Sequence, residues 1–163
     1  NGLPLGAEEN PNYIKYLFFD LGIMQTMLDI PAAEILTSNE VDFVNKGAAS
    51  EMFAGLEMIK YSDCFTKAES HYWERTGKKS QAEIDYVCAH NGRVLPVEVK
   101  ASIQGGMQSL WIFLREHKLH NAIRTSLENF GQFYYYDKED EGAERHVEII
   151  PLYAISNFKE YNY

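Results

Sequence analysis

Cysteine is scarce. Cys64 and Cys88 are the two in 163 residues, far apart and without neighbours at metal-ligand spacing. That argues against a disulfide framework or a cysteine-based zinc site, and both read as reduced, partly buried thiols. Basic residues are also few, 15 Lys and Arg against 24 Asp and Glu, for a formal charge of −9. A protein that captures nucleic acid unaided usually shows a basic face. Any grip on DNA or RNA must therefore be local, supplied by a partner, or absent. No apolar run approaches the ~20 residues that cross a bilayer as a helix. Residues 1–10 lack the basic start and apolar centre of a signal peptide. No membrane association is expected, and a cytoplasmic location is the default. There is no low-complexity stretch, no internal repeat and no Pro/Gly/Ser-rich linker. One domain over residues 1–163 is expected, with an N-terminal strand and helical extension at 1–45 and a core at 46–163. A first residue other than Met hints at a piece of a longer chain.

Aromatics are plentiful, eleven Tyr and nine Phe, which favours strands. Residues 13–19 read as a buried strand ended by Asp20, which caps a helix over 21–28. Pro31 and the cluster Thr37, Ser38, Asn39 suggest a second short helix and a turn. Over 46–61 the pattern is helical, with Ala49, Met52, Phe53, Leu56 and Ile59 on one face. Strands follow at 69–75, 82–88 and 93–100. Met107, Leu110, Trp111 and Leu114 mark another helix, and strands recur at 122–127, 133–136 and 147–153, with an acidic loop at 137–144. The fold class expected is α+β, a mixed sheet flanked by helices with core order α-β-β-β-α-β.

Asn91-Gly92 between two strand-like runs is a strong hairpin signal. With these two as the loop, His90 faces Arg93, Asp85 faces Glu98 and Glu83 faces Lys100. Alternation puts Glu83, Asp85, Glu98 and Lys100 on one face, and Ile84, Tyr86, Val97 and Val99 on the other, the core. Opposed carboxylates repel unless neutralised. A hard divalent cation bound through carboxylate oxygens would do so, and magnesium keeps waters of its own for phosphate chemistry. Lys100 is close enough to neutralise charge or position a water. Glu51, at the margin of the helical apolar face, is a candidate third carboxylate. Against this stands a plain solvated strand face with a Glu83–Lys100 pair.

A helix with Glu, a strand with Asp, a strand with Glu-x-Lys and then a helix resembles the PD-(D/E)xK nuclease superfamily. More narrowly, the chain is similar to the uncharacterised domain that lies C-terminal to an ATPase module in many prokaryotic AAA-type proteins. The matching stretches are 15–22 (KYLFFDLG), 47–51 (GAASE), 71–75 (HYWER), 82–87 (AEIDYV), 94–100 (VLPVEVK) and 149–153 (IIPLY). The resemblance implies a restriction-endonuclease-like fold with Glu51, Asp85 and Glu98 as ligands of Mg2+ or Mn2+. Lys100 would position or activate the attacking water. It further implies an AAA-type ATPase in the same chain as partner, with DNA as substrate and an oligomer possible. Ile84 stands where the superfamily has Pro.

Other motifs are weaker. Residues 76–80 (TGKKS) imitate the end of a phosphate-binding loop, but Tyr72 stands where its first Gly belongs. Residues 40–44 (EVDFV) imitate the Asp85 segment without a Glu-x-Lys strand at hairpin distance. His71 and His90 lack ligand partners, and His117 and His120 read as solvent-facing on one helix flank. Tyr134, Tyr135 and Tyr136 read as a strand packed on both sides rather than a base-stacking platform. Two functions follow: a metal-dependent nuclease, or a non-catalytic interaction module that keeps the nuclease fold.

Overall fold

A computed structural model describes residues 2–31, 43–65, 67–75, 81–101 and 106–160. Helix α1 spans Leu21–Met27, and Asp20 caps it by accepting the Ile23 N–H at 2.8 Å, because a helix start leaves such donors unmatched. Helix α2 spans Phe43–Lys60. Strands β1 (His71–Glu74), β2 (Glu83–His90) and β3 (Arg93–Glu98) follow, then helix α3 (Gln108–His117). The chain continues through β4 (Asn121–Ser126), β5 (Gly131–Asp137) and β6 (Ala143–Pro151), and a 3-10 helix runs over Leu152–Glu160. The strands form one mixed sheet of six in the order β1-β2-β3-β4-β6-β5, so the expected α+β class and core order hold. No helix among the described residues is long and apolar enough to cross a membrane.

The β2–β3 hairpin turns at Asn91 and Gly92, both at positive φ (49° and 71°), the conformation a two-residue hairpin turn needs. His90 pairs with Arg93, and the register holds through Tyr86 and Val97. Strands β3, β4 and β6 are mutually parallel, and α3 makes the crossover from β3 to β4.

Both sheet faces are buried, which corrects the expectation of one core face. Ala54 of α2, Tyr86, Leu95, Val97, Val99, Ile123, Ile150 and residues of the C-terminal 3-10 helix form one cluster. Ile84, Val87, Val94, Ala122, Val147 and α3 residues Leu110, Phe113 and Leu114 form the other. Ile84 and Tyr86 thus part company, contrary to simple alternation. The cause is an irregularity in the β1–β2 pairing: His71 pairs with Val87 but Trp73 with Ile84, leaving one extra residue on β2. Such a bulge reverses the facing of the side chains beyond it.

Two further expectations change. Residues 13–19 belong to no strand, and Tyr16 and Phe19 are 84% and 87% exposed; the segment crosses the surface without a ladder partner. The tyrosines of β5 lie on an edge strand, with Tyr134 and Tyr136 exposed and Tyr135 stacked on Trp111 at 4.8 Å, so packing is one-sided. The helix and turn expected around Pro31 and Thr37–Asn39 lie outside the described residues apart from Pro31 itself, as do residues 76–80 and 40–42. Helix α3 ends at His117, so His120 lies beyond it; both histidines are exposed.

Candidate functional site

The β2 bulge brings Asp85 towards α2. Helix α2 lies close on β2 because position 55 is glycine. A Cβ there would overlap the Tyr86 hydroxyl and sit 2.9 Å from its Cζ. In that gap the Tyr86 hydroxyl donates to the Glu51 carbonyl at 2.7 Å, which pins the turn of α2 that carries Glu51. Glu51, Glu83 and Asp85 consequently converge, each offering a carboxylate oxygen within 4.8 Å of the others. Among the described residues it is the one such group of three or more His, Cys, Asp or Glu.

Asp85 also closes the hairpin. The β2–β3 ladder keeps the register of the loop count as far as Tyr86 opposite Val97, and Asp85 and Glu98 are the next residues beyond it. There the ladder gives way to a side chain: the Asp85 carboxylate accepts the Val99 N–H at 2.7 Å. Burial, followed by the charge of Glu98, raises the Asp85 carboxyl from 3.8 to about 7, while the Val99 N–H opposes the shift. Glu98 is buried and its carboxyl is raised, first by burial. Lys100 Nζ lies 2.5 Å from Glu98 Oε1, whereas Glu98 Oε2 is buried without a hydrogen-bond partner. The Lys100 backbone is held too, its N–H donating to the Thr125 hydroxyl at 2.9 Å.

The structure therefore brings Glu51 and Asp85 together and adds Glu83, which the hairpin count placed on the same face but paired with Lys100. Glu98 and Lys100 stand beside this group as an ion pair. No histidine joins it among the described residues.

Two residues escaped the sequence reading. Lys15, from the N-terminal segment, places Nζ 2.7 Å from Glu51 Oε1, in an ion pair with Glu83 Oε1 and 4.9 Å above the Tyr72 ring. Burial would lower the Lys15 ammonium, but its bonds to both carboxylates outweigh that and raise it. Nothing local announces a contact with a helix 36 residues on. Arg124 pairs in register with Glu98 on the parallel neighbour β4, is buried, and leaves Nε and Nη2 without hydrogen-bond partners. A lone Arg within an apolar strand was the available signal. A cleft of about 600 Å³ adjoins Asp85 between the N-terminal segment and β1–β2, with Lys15, Tyr72 and Trp73 in its walls.

Chemically, the three converging carboxylates suit a hard cation bound through oxygen. Lys100 and Arg124 supply positive charge beside them, the polarity an anionic substrate needs. No curated protein matches the chain in sequence. A family model does match, over residues 46–154, from α2 through the sheet into the C-terminal 3-10 helix, and the chain belongs to that family, described as a domain of unknown function, DUF4143.

Proposed function

We propose that this domain is a Mg2+- or Mn2+-dependent phosphodiesterase of the PD-(D/E)xK kind, acting on DNA with the help of an AAA-type ATPase module in the same chain. The observation that carries the reading is the convergence of Glu51, Glu83 and Asp85 next to the Glu98–Lys100 pair. Converging carboxylates repel one another, and a divalent cation removes that penalty. In this reading Asp85 and Glu51 hold the metal, with Glu83 available to it. Glu98 would join them through Oε2, which is buried without a hydrogen-bond partner while Oε1 pairs with Lys100. A divalent cation held there would supply Lewis-acid chemistry, making water easier to deprotonate and phosphate easier to attack. Lys100 orients that water or neutralises the charge that forms in the transition state.

The experiment is cleavage of linear, single-stranded and branched DNA, and of RNA, with magnesium or manganese and the ATPase portion present. Wild type is expected to cut, Asp85→Ala to lose both metal binding and cutting, and Lys100→Ala to lose cutting while keeping most metal affinity. Equal inertness of wild type and Lys100→Ala, with metal still bound, would sink the enzyme reading. Two observations favour a second reading, a non-catalytic interaction module. Glu51, Glu83 and Glu98 each already have a lysine partner in this structure, and the net charge of −9 repels a polyanion.

A further inference from the structure

We propose that Lys15 is a tethered occupant of the carboxylate cluster, and that a divalent cation binds only after its ammonium withdraws. This rests on the metal-dependent reading above and adds the control of that site.

The geometry is one of shared volume. Lys15 Nζ bonds to oxygens of Glu51 and Glu83 at once, and those carboxylates together with Asp85 form the cluster. A divalent ion coordinates carboxylate oxygen at roughly 2.0–2.6 Å, so an ion shared by Glu51 and Glu83 takes the place the ammonium holds. Two cations cannot occupy it together, since both volume and charge forbid it. The Tyr72 ring under the ammonium gives it a further favourable surface.

The carrier segment is built to let go. It contributes no strand to the sheet. Its described anchors to the body include the Lys15 ion pairs with the Tyr72 ring under the ammonium, the Phe18 N–H at 3.3 Å from Met52 Sδ, and Leu17 lying against α2 near Gly55, while Glu9 just before it pairs with His71. Tyr13, Ile14, Tyr16 and Phe19 are largely in solvent. Withdrawing Lys15 therefore breaks no ladder and opens no core; a rotamer change of a four-carbon side chain and a small shift of an exposed segment are enough. While the metal is away, the ammonium compensates carboxylates that would otherwise repel one another.

The test is calorimetric titration of Mn2+ into wild type, Lys15→Met, Lys15→Gln and Glu51→Gln. Lys15→Met and Lys15→Gln are expected to bind Mn2+ at least tenfold more tightly than wild type, and Glu51→Gln more weakly. A second readout needs no variant. Trypsin cuts after lysine, and mass spectrometry of the cut between Lys15 and Tyr16 should show it accelerating several-fold when Mn2+ saturates the protein. Wild type and both Lys15 variants binding Mn2+ equally, or the variants binding more weakly, overturns the inference and leaves the metal site standing. A metal-independent rate of that one cut in a protein that binds Mn2+ overturns it as well. Failure of every protein to bind Mn2+ removes the metal reading, and the inference with it.

Discussion

Asp85 meets two opposed demands. Its oxygen accepts the Val99 N–H where the hairpin ladder ends, yet burial and Glu98 lift its carboxyl from 3.8 to about 7. The metal-free fold thus retains a proton that the unfolded chain releases near 3.8. Its contribution to stability is fully present below that value and is lost as pH rises through about 7. Asp85→Asn, neutral throughout, should remove this slope. Melting temperatures of wild type and variant should diverge over that window, with the variant more stable by on the order of 2 kcal/mol at the upper end. Parallel curves would show that Asp85 does not hold the proton. Metal affinity carries the opposite dependence: a cation takes the ionised carboxylate, so Mn2+ binding should strengthen as pH rises through about 7 and then level off.

At the scale of elements, the seating of α2 on β2 decides whether the site exists. Gly55 makes that contact possible, because any Cβ would meet the Tyr86 ring. Gly55→Ala should destabilise by about 1–3 kcal/mol through overpacking, and it should weaken Mn2+ binding by displacing Glu51. Tyr86→Phe keeps the ring but loses the bond to the Glu51 carbonyl, at about 1 kcal/mol. Denaturant unfolding of the single and double variants tests the coupling: with the hydroxyl gone, alanine at 55 should cost less than it does alone. Strict additivity would mean the two residues do not share that space. At the other end of the hairpin, Gly92 sits at φ 71°, and Gly92→Ala should cost about 1 kcal/mol with little effect on metal affinity. The contrast separates general destabilisation from loss of the site.

Across the whole molecule, the far side of the sheet is held by charge. Arg115 of α3 clamps the buried Asp137 of β5 through two bonds of 2.8 and 2.9 Å, and the buried Arg145 donates to Asp140 and to the Leu119 carbonyl. The hydrogen bond from Arg115 holds the Asp137 carboxyl below its ordinary value, so this support is present above 3.8 and lost as pH falls through the lowered value. Asp137→Ala takes away both bonds with Arg115 and leaves Arg145 with Asp140 alone as counter-charge, and should destabilise by about 1.5–3 kcal/mol, read by thermal unfolding at neutral pH. Net charge acts at the same scale. With −9 over 163 residues, the isolated domain should not hold DNA tightly at physiological ionic strength. Tight, salt-sensitive binding in a gel-shift or anisotropy titration of the domain alone would overturn the need for a helper.

The element order, the Asp20 cap and the β2–β3 register were legible in the sequence because each depends on neighbours: periodicity, a capping residue, and a turn that Asn-Gly suits. The same local rules misread residues 13–19, whose apolar run looked like a buried strand but finds no ladder partner. Alternation also failed at Ile84, since the bulge that reorients it arises from pairing with β1. The candidate site divides in the same way. Asp85 opposite Glu98 follows from counting back from a turn, whereas the meeting of Glu51 with Glu83 and Asp85 depends on how closely α2 approaches, and so on Gly55 fitting Tyr86. Lys15 and Arg124 enter through contacts between segments remote in sequence. Short-range stereochemistry is written residue by residue along the chain, but which distant charges share a site is settled by packing, where shape and burial outweigh any local preference.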